Sequence, residues 1–194
     1  MKGEEKNNII NIQPPNNVKN ILFHCCCAPC SGGIIRTLLH SGITPTVLFY
    51  NPNIHPEEEY ALRKATLMTF LEKLMLPFID ADYDPDRWLS ATAGLKDEPQ
   101  RGKRCTVCFE LRLDYTAHIA KEKGFSVFAT SCGISRWKDM DQVNRAGEKA
   151  AQKYGVTYWD YNWRKHGGQD LMREVTRQED CYQQTYCGCR YSIP

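Results

Sequence analysis

The feature that most limits what this chain can fold into is a regular exchange of short strand-forming runs with longer segments of helical period. The runs VKNILFHCC (18–26), TPTVLFYNPN (44–53), PFIDAD (77–82), FSVFATS (125–131) and VTYWDY (156–161) read as five strands. Between them, Ser31-Gly32-Gly33 turns into an apolar helix through His40, and helical patterns cover 56–75, 84–94, 105–124, 139–155 and a last stretch from Leu171 to Gln184. Strands separated by helices cannot pair as hairpins, so the expected fold is α/β: a three-layer α/β/α arrangement with a mostly parallel, Rossmann-like sheet and a helical C-terminal part. In such sheets ligands bind beyond the carboxyl ends of the strands.

The 194 residues suffice for one ordinary core. Residues 1–17 are polar and carry Pro14-Pro15, so they read as a loose tail ahead of a single domain over 18–194. The opening stretch has no apolar segment of the secretory kind, and no uninterrupted apolar run approaches the roughly 18 residues of a membrane span. A reducing cytoplasm with no membrane association is the expected setting.

Ten cysteines then become the question, because a reduced protein of this size does not need disulfides to fold. Eight of them fall in three groups: Cys25, Cys26, Cys27 and Cys30 in HCCCAPCSGG, Cys105 and Cys108 in RCTVC, and Cys187 and Cys189 in YCGCR. The first group closes the first strand and opens the first helix, at the ligand edge, where backbone N–H groups and the helix dipole favour anions, thiolates or a metal–sulfur cluster. A C-x-x-C on the first turn of a helix aims two sulfurs at one ion. One structural zinc needs four ligands, whereas this chain offers eight grouped thiols, and the surplus points to redox chemistry. Cys187-Gly188-Cys189 reads as a labile redox pair, since a C-x-C disulfide is strained, or as further metal ligands. Cys25 points away from Cys26 by strand alternation, and the isolated Cys132 and Cys181 read as small buried hydrophobes.

Net charge is only +2, from 25 Lys and Arg against 23 Asp and Glu. That excludes a histone-like cationic surface but leaves room for a local phosphate-binding patch, with Arg101, Lys103, Arg104 and Arg112 in one region and Arg164, Lys165 and His166 in another.

In chain order, HCCCAPCSGG, LFYNPNIHPEEEYALRK, RCTVCFELRL, WRKHGG and CYQQTYCGCRYS cover nearly all of the sequence after the tail. Together they resemble the cobalamin-independent epoxyqueuosine reductases of the QueH type. The resemblance implies reduction of the epoxide of epoxyqueuosine to queuosine at the wobble position of transfer RNA. It also implies an iron–sulfur cluster of the 4Fe–4S kind with an adjacent iron, and an unidentified electron donor. Carried over by position, the motifs cover Cys26, Cys27, Cys30, Cys105, Cys108, Cys187 and Cys189. Of these, Cys26, Cys27, Cys105 and Cys108 are expected around the metals, with Cys187 and Cys189 as a catalytic dithiol/disulfide. Tyr50, Asn51 and Asn53 are expected to shape the base pocket, Arg63 to reach a phosphate, and Arg164 and Lys165 to meet the base and its backbone. His24 or a carboxylate is a further candidate ligand.

Two alternatives remain open at this level. A transfer RNA thiolase of the PP-loop type shares the sheet, the Ser-Gly-Gly turn and cluster-binding thiols, but its pattern continues SGG-x-Asp-Ser, whereas Ser31-Gly32-Gly33 is followed by Ile34-Ile35-Arg36. A zinc-stabilised RNA-binding module would use the cysteines only as staples.

Overall fold

The computed structural model describes residues 9–193. Strands β1 (Asn20–His24), β2 (Thr44–Phe49), β3 (Phe78–Asp80), β4 (Val127–Thr130) and β5 (Thr157–Tyr158) form one sheet in the order β3-β2-β1-β4-β5, with every pairing parallel. The connecting helices are α1 (Ala28–His40), α2 (Glu57–Lys73), α3 (Pro85–Ala91), α4 (Lys103–Glu122), α5 (Met140–Tyr154) and α6 (Gly168–Gln178). This is the expected three-layer α/β fold. No helix among the described residues is long and apolar enough to cross a membrane.

Alternation along β1 shows how the layers are held. Ile21 and Phe23 enter the core shared with α1 and α2, and Leu22 enters the core built with α4 and α5; all three are fully buried. Burying side chains of this size on both faces contributes about 1.5–3 kcal/mol each, which makes a parallel sheet with two covered faces the stable solution for runs without polar alternation. The strand order reverses between β1 and β4, so a crevice opens beyond their carboxyl ends, where Cys25–Cys30 and Ser131–Ile134 lie.

Three boundaries differ from the sequence expectation. Helix α1 begins at Ala28, not after Ser31-Gly32-Gly33, because Pro29 is accommodated in a first helical turn. Gly33 therefore sits inside α1, where a Cβ would lie 2.9 Å from the backbone nitrogen of Met172; the residue permits close contact with α6 instead of making a turn. Helix α6 spans Gly168–Gln178, shifted towards the N-terminus from Leu171–Gln184. Residues beyond it run across the molecule to the cysteine loop. At the other end the packed chain starts before Val18: Ile12 is buried and its N–H donates to Ser41 Oγ at 3.0 Å. Residues 1–8 of the expected tail lie outside the described residues.

Candidate metal centre

The thiols of Cys26, Cys27 and Cys30 come together because β1 stops at His24 and α1 starts at Ala28, leaving a turn too short to keep neighbouring side chains on opposite faces. Their sulfurs all lie within 4.8 Å of one another, with Cys26 Sγ and Cys27 Sγ 3.8 Å apart. All three residues are buried. Ser131, just past β4, accepts from the Cys26 N–H at 3.1 Å and donates to Cys26 Sγ at 3.4 Å. From the C-terminal segment, Gln184 Nε2 donates to Cys27 Sγ at 3.0 Å, while its Oε1 is buried without a partner.

Protonation within the trio is unequal. Hydrogen bonding from Cys132 brings Cys26 down to about 6, against a desolvation cost that acts the other way. Hydrogen bonds from Cys26 and Cys30 hold Cys27 well below the ordinary thiol range, whereas Cys30, which shares its proton with both neighbours, is pushed well above it. Two acidic thiols beside a protonated third make a donor set suited to a cation that binds by displacing protons.

A cavity of about 390 Å³ opens onto this trio, and its wall includes Cys105, Cys187 and Cys189. Cys105 accepts from the Arg101 N–H at 3.3 Å and is raised by burial. Cys108 is buried, raised to about 12 by desolvation, and stands outside the cavity lining, with Arg112, Cys187, Trp88 and Cys189 bearing on its charge. Cys187 is exposed and Cys189 partly buried, and both are free thiols. Cys25 faces the core and is pushed well up by burial. His24 is fully buried with both ring nitrogens engaged: Nε2 must donate to the Tyr50 carbonyl at 3.0 Å, so Nδ1 accepts from Thr130 Oγ1 at 2.8 Å. Burial keeps this imidazole neutral.

The Cys187-Gly188-Cys189 loop is docked by backbone contacts. Gly188 O accepts from His55 N–H at 2.8 Å, Cys189 bridges to Ile54, and Arg63 donates to the carbonyls of Cys187 at 3.2 Å and Tyr186 at 3.1 Å. Gly188 has φ +98°, a conformation that residues with a Cβ rarely adopt, so glycine is required there.

Residues 21–194 match the family model of epoxyqueuosine reductase QueH. The chain belongs to the epoxyqueuosine reductase QueH family. Its curated relatives of that name include a protein of Acinetobacter baylyi, 51% identical over 185 residues that make up 95% of this chain and 85% of the relative. One from Haemophilus influenzae is 51% identical over 94% of this chain and 75% of its own, and one from Thermotoga maritima 30% identical over 89% and 90%.

The residues singled out from the QueH resemblance are distributed unevenly. Asn51 and Asn53 line the cavity; Asn51 Nδ2 donates to Cys25 O at 2.9 Å and its Oδ1 accepts from Arg112 at 2.6 Å, while Asn53 Oδ1 is buried and unpartnered. Tyr50 belongs to the opposite face of the sheet, stacked on Tyr115 with ring centroids 3.9 Å apart, because β2 alternates. Arg63 lines the cavity but is buried and paired with Glu59 at 2.7 Å in addition to its two carbonyls. Arg164 donates to the carbonyls of Gly133, Ser135 and Lys138 at 2.6–2.8 Å, bracing the loop after β4 instead of standing free. Lys165 lines a different cavity, between α1 and α6.

Several cavity residues were not among the sequence candidates: Lys138, Gln142, Gln184 and Trp137; Arg112 was expected only as part of a phosphate-binding patch. Arg112 stands four residues after Cys108 on one helix face, a signal present in the spacing. Desolvation acts to lower both Arg112 and Lys138, but the surrounding cysteines together raise them and keep these groups cationic. Nothing local marks Gln184, which reaches Cys27 across 157 positions of sequence.

Proposed function

We propose that this chain reduces the epoxide of epoxyqueuosine to the alkene of queuosine in the anticodon of transfer RNA, in the cytoplasm, with an iron–sulfur cluster and an adjacent iron. The observation that carries the reading is the buried trio of Cys26, Cys27 and Cys30 opening onto a cavity walled by Cys105, Cys187 and Cys189, in a chain of the QueH family. The donor set fits: soft sulfur ligands, two of them acidic, with unpartnered polar atoms of Gln184 and Asn53 buried alongside. Cys26, Cys27 and Cys105 would hold the metals, with Cys30 added to them by its place in the trio; Cys108, expected beside them, stands outside the cavity lining.

Removing the oxygen breaks two C–O bonds, forms one C=C bond and releases water, consuming two electrons and two protons. When bound, the iron–sulfur cluster and adjacent iron supply single-electron transfer and Lewis acidity. The protein's own groups meet the remaining demands. Cys187 and Cys189 yield two electrons and two protons on closing to a disulfide, which balances one epoxide, and an external donor reopens it. Lys138 holds a proton at Nζ in the cavity wall, and the buried Arg112 guanidinium balances negative charge on the thiolates.

Anaerobically purified protein should be brown, hold on the order of four to five irons per chain, and reduce epoxyqueuosine in an anticodon stem–loop. A colourless, zinc-loaded protein that cannot be rebuilt with iron would favour the RNA-binding module, and sulfur transfer dependent on ATP would favour the thiolase. Replacing Cys187 and Cys189 together with Ser should leave at most one turnover; full multiple turnover by that variant removes the dithiol role.

A further inference from the structure

Three of the four tryptophans, Trp88, Trp159 and Trp163, are at most 5% exposed, whereas Trp137 is 68% exposed on the wall of the cysteine cavity. We propose that Trp137 is a stacking platform for an unpaired nucleobase beside the one that enters the cavity. This rests on the reading above that the substrate is RNA.

The ring is exposed but its backbone is held. Arg101 Nε donates to the Trp137 carbonyl at 3.1 Å and its Nη2 to the Arg136 carbonyl at 2.9 Å. Arg101 itself has φ +65°, a conformation that its type rarely adopts, and its carbonyl accepts from Gln142 Nε2 at 2.6 Å. Arg136 lies over the indole, 5.2 Å from the ring centroid, and most of the ring stays open. A loop tip without a ligand has no evident need for this bracing, whereas a stacking surface must be pre-positioned to bind without an ordering cost.

Charge selects the occupant. The cavity lining carries five cations, Arg63, Arg101, Arg104, Arg112 and Lys138, against one carboxylate, Asp139. Arg63 is neutralised by Glu59, and Asp139 already caps α5 through the Asp141 and Gln142 N–H groups. A chain with one phosphate per unit and a flat π face per unit matches both properties; sequence-tolerant stacking on aromatic side chains beside a cationic groove is how single-stranded nucleic acid is bound. An acidic protein surface would use the charge and leave the indole unused.

The test is binding of a labelled anticodon stem–loop carrying epoxyqueuosine. Trp137→Ala should weaken it about 5- to 100-fold, with an unchanged salt slope and an unchanged melting temperature, and Trp137→Phe should recover most of the loss. Arg136→Ala should instead flatten the slope of log K against log salt by about 0.7. RNA should quench the red side of the wild-type emission, where an exposed indole contributes, and not that of Trp137→Phe. Binding by Trp137→Ala within twofold of wild type, while wild type reduces the epoxide, overturns the platform alone. A wild type whose emission is quenched through Trp137 but that never reduces the epoxide supports the platform and sinks the reductase reading. Failure of RNA to quench, with quenching by an acidic protein partner, overturns the platform.

Discussion

Cys26 and Cys108 are both buried, yet the first is lowered to about 6 and the second raised to about 12. Neighbouring hydrogen bonds dominate at Cys26 and desolvation dominates at Cys108, so burial alone does not set thiol acidity here. The sign follows directly. Cys26 is a thiolate above about pH 6, and Cys108 keeps its proton up to about pH 12. In metal-free protein, alkylation of Cys26 by iodoacetamide should therefore rise with a midpoint near pH 6, while Cys108 stays unmodified at pH 10. Mass mapping of the modified peptides reads both, and a Cys26 midpoint above pH 8 would contradict the hydrogen-bonding account.

Helix α1 carries Cys30 of the sulfur trio in its first turn, with Cys27 at its N-cap, and the glycines that let α6 lie against it. Replacing Gly33 with Ala brings a Cβ to 2.9 Å from Met172 N and 3.0 Å from its Cα, and backbone cannot rotate away. The expected cost of about 1–3 kcal/mol from overpacking exceeds the gain of about 1 kcal/mol from better helix propensity. At Gly32 the nearest atom is Val175 Cγ1 at 2.8 Å, at the end of a side chain. Gly32→Ala should come out milder, and calorimetry that finds the two variants equally stable would show that α1 and α6 can slide apart. The same contact explains why a Ser-Gly-Gly sequence that looks like a phosphate-binding turn is helix interior here.

Across the whole molecule, the cavity is closed by a segment distant in sequence from the trio it covers. Arg63 on α2 anchors that segment through Tyr186 and Cys187, with its guanidinium 5.3 Å from the Tyr186 ring centroid and Tyr182 donating to Glu59 at 2.8 Å. Arg63→Leu leaves the partly buried Glu59 without its cation, at a cost of about 1–3 kcal/mol, and frees the C-terminal run. Limited trypsin digestion should then cut after Arg190 well before the rest of the domain opens. Cleavage at the wild-type rate would mean that the β-bridge of Ile54 with Cys189 and the Gln184 contact hold the segment unaided.

The layered parallel fold was legible in the order of apolar runs and helical periods, because each strand buries both faces and each helix one stripe, a property of local sequence. So was the location of Cys26, Cys27 and Cys30, since a strand that ends one turn before a helix places its last residues at the sheet's ligand edge. Spacing could not show that Cys30 completes the trio, because its place depends on α1 starting at Ala28. Nor could it show that Arg164 braces the loop after β4, that Tyr50 faces the other side of the sheet, or that Lys165 belongs to another cavity. Those assignments, like the reach of Gln184 to Cys27, are decided by which segments the sheet order brings together. Hydrogen-bond partners far apart in the chain leave no periodic trace in it, so only the tertiary structure could decide them.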